Sequence, residues 1–226
     1  MAETKDFRFN YRNYPTITSP KLTLKWPKLV TPGKKYKSED LEFTTDCVMP
    51  EAEGEAWAEK VLKPLVDKAL AEFVEDERNK KKAKITKANY NFMKPEIDKE
   101  GDPTGNVQFK VKTNAVRLDK DKIERSVEIP LWDASGKRIQ NGSVNPYGGT
   151  TARVKFDVMP YFMEKDKEVG ISFKLREVQI IKLIEGGERA PSGFDGVDDE
   201  DAYRQDEGGG FKETSPDADD GEAENF

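Results

Sequence analysis

Val107-Gln108-Phe109-Lys110-Val111-Lys112-Thr113 alternates core-type and water-type side chains at every step, the period of a strand with one buried face and one solvated face. The pattern spreads outward from there. Arg153-Val154-Lys155-Phe156-Asp157-Val158 repeats it, and Val169 to Ile184 is long enough for one extended or bent strand before Gly186-Gly187. Upstream, Lys21-Leu22-Thr23-Leu24-Lys25-Trp26 has the same period, Thr31-Pro32-Gly33 predicts a turn, and Asp40 to Val48 predicts another strand. Ser126 to Trp132 adds one more, closed by the turn Asp133-Ala134-Ser135-Gly136.

One helix interrupts these strands. Pro50 suits a first helical position, and Glu51, Glu53 and Glu55 lie where the positive end of the helix dipole favours anions. Trp57, Val61, Leu65, Ala69 and Phe73 form one ridge, and Leu62, Val66, Leu70 and Val74 form its neighbour. Pro64 predicts a kink or a restart, and Lys80, Lys81, Lys82 and Lys84 place cations at the negative end. Five or six strands with one interposed helix predict a mainly β fold, a small, partly closed antiparallel barrel. Periodicity does not separate an OB-type barrel from another barrel or a sandwich. Phe7 to Tyr14 reads as a strand or an ordered arm.

Charge divides the chain. Residues 185–226 hold 15 Asp or Glu against Arg189, Arg204 and Lys212, a net of −12 in a chain of −6 overall, so residues 1–184 carry +6. A basic body joined to an acidic, disordered tail suits a polyanion binder that carries its own competitor. The single Cys47 fits a reducing compartment, Met1 to Asp6 has no apolar signal core, and no apolar run spans a bilayer. A soluble intracellular protein with no membrane partner is expected.

The chain contains no histidine, which removes His-based nucleophilic, acid-base and zinc sites. Gly148-Gly149-Thr150-Thr151 lacks the spacing and lysine of a P-loop, and Asp195 to Glu207 lacks the sixth-position glycine of an EF-hand loop. Neither a metal nor a cofactor is expected, and the protein reads as a non-enzyme.

The residues left to carry chemistry are cations and rings. Lys110 and Lys112 share one face of their strand, and Arg153 and Lys155 share one face of theirs. Trp26, Lys35 with Tyr36, and Tyr161 stand near strand ends or loops beside cations. Lysines that meet phosphates, and rings that stack on unpaired bases, are the two elements of sequence-tolerant single-strand binding. The same lysines also suit a plain solvated face. Phe109, Phe156, Phe173 and Trp57 belong to their elements' apolar sets and are expected in the core.

The order of a Phe109-Lys110-Val111-Lys112 strand after a long helix, Trp132 to Arg138, Arg153 to Tyr161, Lys174 to Leu183, and an acidic tail ending in Phe226 resembles the single-stranded-DNA-binding proteins of T7-like bacteriophages. The resemblance covers the body from about Lys21 and the chemistry of the tail.

It implies a five-stranded OB-fold over 21–184, preceded by an arm at 1–20 and followed by a tail at 185–226. It implies a protein that coats single-stranded DNA in phage replication and recombination, promotes annealing, and works in the cytoplasm of the infected host. Lys112, Lys155 and Tyr161 match family positions on the DNA-binding face, with Lys110 and Arg153 matching neighbouring basic ones. The tail, with Asp219, Asp220, Glu222, Glu224 and Phe226, would engage a polymerase, helicase or primase, and a homodimer is compatible. An aromatic that the family pattern can place just beyond the basic strand is Asn114 here. Two other classes stay open on the residues alone. One is a protein-directed adaptor or chaperone with an acidic interaction tail and no DNA groove. The other is a Mg²⁺-dependent nuclease using Asp119, Asp121, Glu124 and Glu128.

Overall fold

The computed structural model describes residues 7–185. Eleven strands run in chain order: β1 (Thr16–Thr18), β2 (Leu22–Lys34), β3 (Leu41–Pro50), β4 (Lys87–Ala88), β5 (Lys94–Ile97), β6 (Pro103–Asn114), β7 (Val116–Leu118), β8 (Glu124–Ser126), β9 (Leu131–Trp132), β10 (Thr151–Met163) and β11 (Glu168–Lys182). Helices α1 (Glu51–Trp57) and α2 (Lys63–Glu75) are joined by a π-helical stretch, Ala58–Leu62, and a short α3 (Lys80–Ala83) follows. No helix among the described residues is long and apolar enough to cross a membrane. Residues 186–226, which hold the expected acidic tail with Asp219, Asp220, Glu222, Glu224 and Phe226, lie outside the described residues.

The fold is mainly β, as its alternation predicts. The sheet runs β1-β10-β2-β3-β6-β11-β4, with β10 also pairing β11 along its whole length. The strands are not all antiparallel: β11 runs parallel to β6, β4 and β9. The β6–β11 and β10–β2 seams are two register pairs each, so the barrel is not closed along them. Pro64 is the second residue of α2 and follows directly on the π-helical stretch Ala58–Leu62, so the run stays helical through it and the wider turn takes up the ring and the missing donor.

Three local expectations are corrected. Thr31-Pro32-Gly33 lies inside β2 rather than in a turn, and the chain reverses only after Lys34. Ser126 to Trp132 is not one strand, since β8 ends at Ser126 and β9 begins at Leu131. The lysines after α2 do not close it, because Asp76 leaves helical geometry and a 3-10 turn, Glu77–Asn79, intervenes.

The core lies between the sheet and the α1–α2 helix. Phe109, Phe156 and Phe173 are buried there, and Trp57 packs partly buried against Phe109 at 5.6 Å between ring centroids. Leu62, Val66, Ala69 and Phe73 are buried on the helix face, while Val74 is exposed. The helix sits close to β6 only because position 54 is glycine: a Cβ there would collide with Val107 Cγ2. Phe7 to Tyr14 is an ordered arm on α2. Phe7 lies 5.2 Å from Phe73, and Tyr14 Oη donates to Glu72 at 2.8 Å.

Candidate nucleic-acid interface

Two bulges set the outer face. In β11 the register steps from Glu177↔Lys155 to Leu175↔Phe156, so Arg176 is the extra residue. Without it, the one-residue offset between the buried pairs Phe173, Leu175 and Val178, Ile180 would turn one pair toward solvent. The bulge keeps both pairs in the core and places Arg176 outward, where its Nε lies 2.6 Å from Asp157 Oδ2. In β2 the register steps from Lys25↔Asp46 to Lys28↔Thr44, again one residue too many. Trp26 sits at this irregularity with φ +52° and its side chain is 72% exposed. A left-handed backbone is unusual for so bulky a residue, so Trp26 is strained in order to stand clear of the sheet.

Cross-strand register then assembles the cations. Lys112 is the partner of Thr44 on one side and of Lys174 on the other, and Lys174 is in turn the partner of Asp157 on β10. A parallel row, Lys25↔Asp46↔Lys110, runs beside it. Several cations are held by carboxylates on neighbouring strands. Lys110 Nζ is 3.5 Å from Asp46, Lys112 Nζ is 4.0 Å from Glu42, and Lys155 Nζ is 2.6 Å from Glu177. The hydrogen bond from Lys155, with a second from Trp132 Nε1 at 2.8 Å, holds the Glu177 carboxyl below its ordinary range. Lys174 makes no ion pair among the described residues.

A groove of about 1310 Å³ runs over β6 and β11. Its lining carries Lys35, Lys94, Lys110, Lys112, Arg117, Lys174 and Arg176, against the acids Glu42, Asp46 and Glu128. Lys35 and Arg176 are paired with Asp40 and Asp157 outside the lining, and the other five cations still outnumber the three carboxylates, which leaves a positive trough. Tyr161 also lines it, partly buried over Gly170, and burial aided by Glu168 raises its hydroxyl pKa above the usual phenol range.

Of the residues singled out from sequence, Lys35, Lys110, Lys112 and Tyr161 are thus brought together. Arg153 and Lys155 lie on the exposed face of β10, outside the groove lining. Trp26 lines a separate hollow of about 660 Å³ with Lys21, Lys25 and Glu96. Tyr36 stands 87% exposed next to Lys35, outside the groove lining.

Sequence reasoning missed Lys174 and Arg176 as site residues. The alternation Ser172, Lys174, Arg176 between Ile171, Phe173 and Leu175 is a usable signal for their exposure, though not for their neighbours. Asp119, one of the carboxylates a nuclease would need, is engaged within its own turn. It accepts from the Asp121 and Ile123 backbone N–H groups at 2.9 Å each and from Arg125 Nε at 3.1 Å.

The family model described as "Single-stranded DNA-binding protein, Bacteriophage T7" matches residues 17–185. Among solved structures, the chain is similar to gp2.5, a single-stranded DNA binding protein encoded by bacteriophage T7. The identity is 18% and the TM-score 0.61, over 85% of this chain and 100% of that one. The single-stranded DNA-binding protein from bacteriophage Enc34, in complex with single-stranded DNA, is 15% identical with a TM-score of 0.49, over 75% of this chain and 88% of that one. No curated protein matches. The likeness to gp2.5 is one of fold.

Proposed function

We propose, for a chain that belongs to the bacteriophage T7 single-stranded DNA-binding protein family, that unpaired DNA lies across the outer faces of β6 and β11. The observation that carries this reading is the register pair Lys112↔Lys174. Their backbones lie one strand spacing apart, about 4.8 Å, so their like charges share one patch of the surface and repel each other. A phosphate placed between them turns that repulsion into attraction and releases counterions.

Lys35, Lys110 and Arg176 extend the backbone track within the groove, and Arg153 and Lys155 continue it on β10. Tyr161 offers its ring to a base from inside the groove, while Trp26 and Tyr36 offer theirs beyond its lining. Rings and lysines read no base edges, so binding is tolerant of sequence and selective for unpaired strands. The circular order β2-β3-β6-β11-β10 of the five long strands supports the OB-type reading.

In this scheme the protein coats single strands in phage replication and recombination in the host cytoplasm and promotes annealing. The acidic segment with Asp219, Asp220, Glu222, Glu224 and Phe226 competes for the basic groove of the same or a neighbouring subunit, an arrangement that a homodimer fits. Once DNA displaces it, the segment is free to engage a replication polymerase, helicase or primase.

The test is the anisotropy of a labelled oligothymidine titrated with the full chain and with Lys112→Glu and Lys174→Glu. Both substitutions should weaken binding, and a duplex of equal length should bind less well than the single strand. Undiminished affinity in both variants would remove the groove from the function.

A further inference from the structure

The connection between β6 and β9 holds a β-ribbon of its own, β7 paired with β8, that is not hydrogen-bonded into the main sheet as a strand. Its register is Val116↔Ser126, Arg117↔Arg125 and Leu118↔Glu124. A two-stranded ribbon is marginal in water unless something fixes it, and here its base and its tip are both held. At the base, Ala115 N–H donates to Leu41 O at 2.9 Å, Val127 N–H donates to Ala115 O at 2.7 Å, and Ala115 and Ile129 are buried. At the tip, Asp119 caps the turn in which Lys122 takes φ +61°. The ribbon is a preorganised projection.

Its exposed chemistry is unusual for a solvated hairpin. Val116 is 42% exposed, Leu118 64% and Ile123 51%, three apolar side chains in one short ribbon. Val116 and Leu118, two residues apart on β7, share one face, whereas Ile123 lies opposite Asp119 on the other, so the exposed pair Val116 and Leu118 is what points to a partner. Val116, Arg117 and Leu118 line the same groove as Lys112 and Lys174. Arg117 faces the like-charged Arg125 across the ribbon. Arg125 is neutralised by Asp119, whereas Arg117 makes no ion pair among the described residues, although its charge is felt by Asp119.

We infer that the β7–β8 ribbon is a second wall of the DNA track, with Arg117 set for a backbone phosphate and Val116 and Leu118 for the apolar faces of unstacked bases. This rests on the reading of the β6–β11 groove as the DNA site. Arg117 alternates to the other side of β7 from Val116 and Leu118, yet all three line the groove, and a cation and an apolar pair on the rim of a trough richer in cations than in carboxylates match a ligand that is polyanionic along one edge and apolar along the other. Single-stranded DNA has that form and duplex DNA does not, because stacking of successive base pairs hides the base faces.

The experiment titrates labelled oligothymidine with the full chain and four variants: Arg117→Glu, Leu118→Ser, Ile123→Ser and Lys112→Glu. Ile123 is on the same ribbon but outside the groove lining, and it controls for damage to the hairpin. Arg117→Glu and Leu118→Ser are each expected to weaken binding roughly tenfold, the scale of losing one base or phosphate contact. Arg117→Glu should also flatten the salt dependence by about 0.7 in the log–log slope, while Leu118→Ser should leave the slope unchanged. Ile123→Ser should bind as the parent does.

Parent-like binding by Arg117→Glu and Leu118→Ser, with Lys112→Glu impaired, would overturn the second wall and leave the groove standing. Equal losses in Ile123→Ser would overturn it too, by assigning the effect to hairpin folding. Undiminished binding in Lys112→Glu as well would sink the groove reading itself.

Discussion

Tyr161 and Gly170 are register partners across β10 and β11, and the phenol lies against the glycine so closely that a Cβ at position 170 would stand 2.6 Å from Oη and 2.8 Å from Cζ. The glycine therefore sets where the ring sits in the groove. Gly170→Ala is expected to displace the ring and weaken oligothymidine binding by about tenfold, the scale of one lost stack. Tyr161→Phe, which keeps the ring and its seat, should bind nearly as the parent. Parent-like affinity in Gly170→Ala would show that the seated ring contributes nothing to binding.

The carboxylates that hold Lys110 and Lys112 compete with phosphate for the same ammonium groups. Asp46→Asn and Glu42→Gln each leave a cation free, so each should tighten single-strand binding by up to about fivefold, the range of exposed ion pairs. The gain should shrink as salt rises. Titrations at low and raised salt check both statements, and looser binding in either variant would contradict them.

Trp26 combines a left-handed backbone with an exposed ring, and two substitutions separate these properties. Trp26→Ala and Trp26→Gly remove the ring equally, so both should lose the same binding if Trp26 stacks on a base. Only glycine relieves the backbone, and Trp26→Gly should be more stable than Trp26→Ala by about 1 kcal/mol. Thermal melts beside oligothymidine titrations measure the two effects independently.

Glu177 gives the pH dependence a sign. Its carboxyl pKa is depressed in the folded protein below the ordinary 4.5, first by the Lys155 hydrogen bond and then by Trp132. A depressed carboxyl contributes stability that is present above the unfolded value and lost as pH falls through the folded one. Melting temperature should therefore drop on acidification below about pH 4.5, and Glu177→Gln should drop less steeply. Glu96, whose pKa is lowered chiefly by Lys25 and also by Thr104 and Asn106, adds a loss of the same sign.

Removal of residues 186–226 deletes 14 of the chain's 44 Asp and Glu and only three of its 38 Lys and Arg. If the segment competes for the groove, the truncated chain should bind oligothymidine more tightly at low salt, with the difference fading as salt rises. Phe226→Ala should leave DNA affinity nearly unchanged and weaken contact with a replication partner.

The legible part of the site was its side-chain types and the faces they take. Lys110, Lys112, Phe109 and Val111 sort into water and core by a two-residue period, and a period is local. Arg176 was harder, because its bulge is visible in sequence only as a break in the alternation of buried residues between Leu175 and Val178. The π-helical stretch Ala58–Leu62 had no such mark beyond the nearby Pro64.

By itself, the sequence determined the buried and exposed faces of β6, of the first half of β10 and of the start of β2, the start of the helix to within one residue, and that a basic body precedes an acidic segment. These follow from neighbours in the chain. Only the tertiary structure decided that β11 lies parallel to β6, that Lys174 comes to stand beside Lys112, that Lys155 is held by Glu177, and that Arg117 overlooks the same groove. Those relationships join segments far apart in sequence. Their register is set by how the aromatic core of Phe109, Phe156 and Phe173 packs beneath them, which no local period encodes.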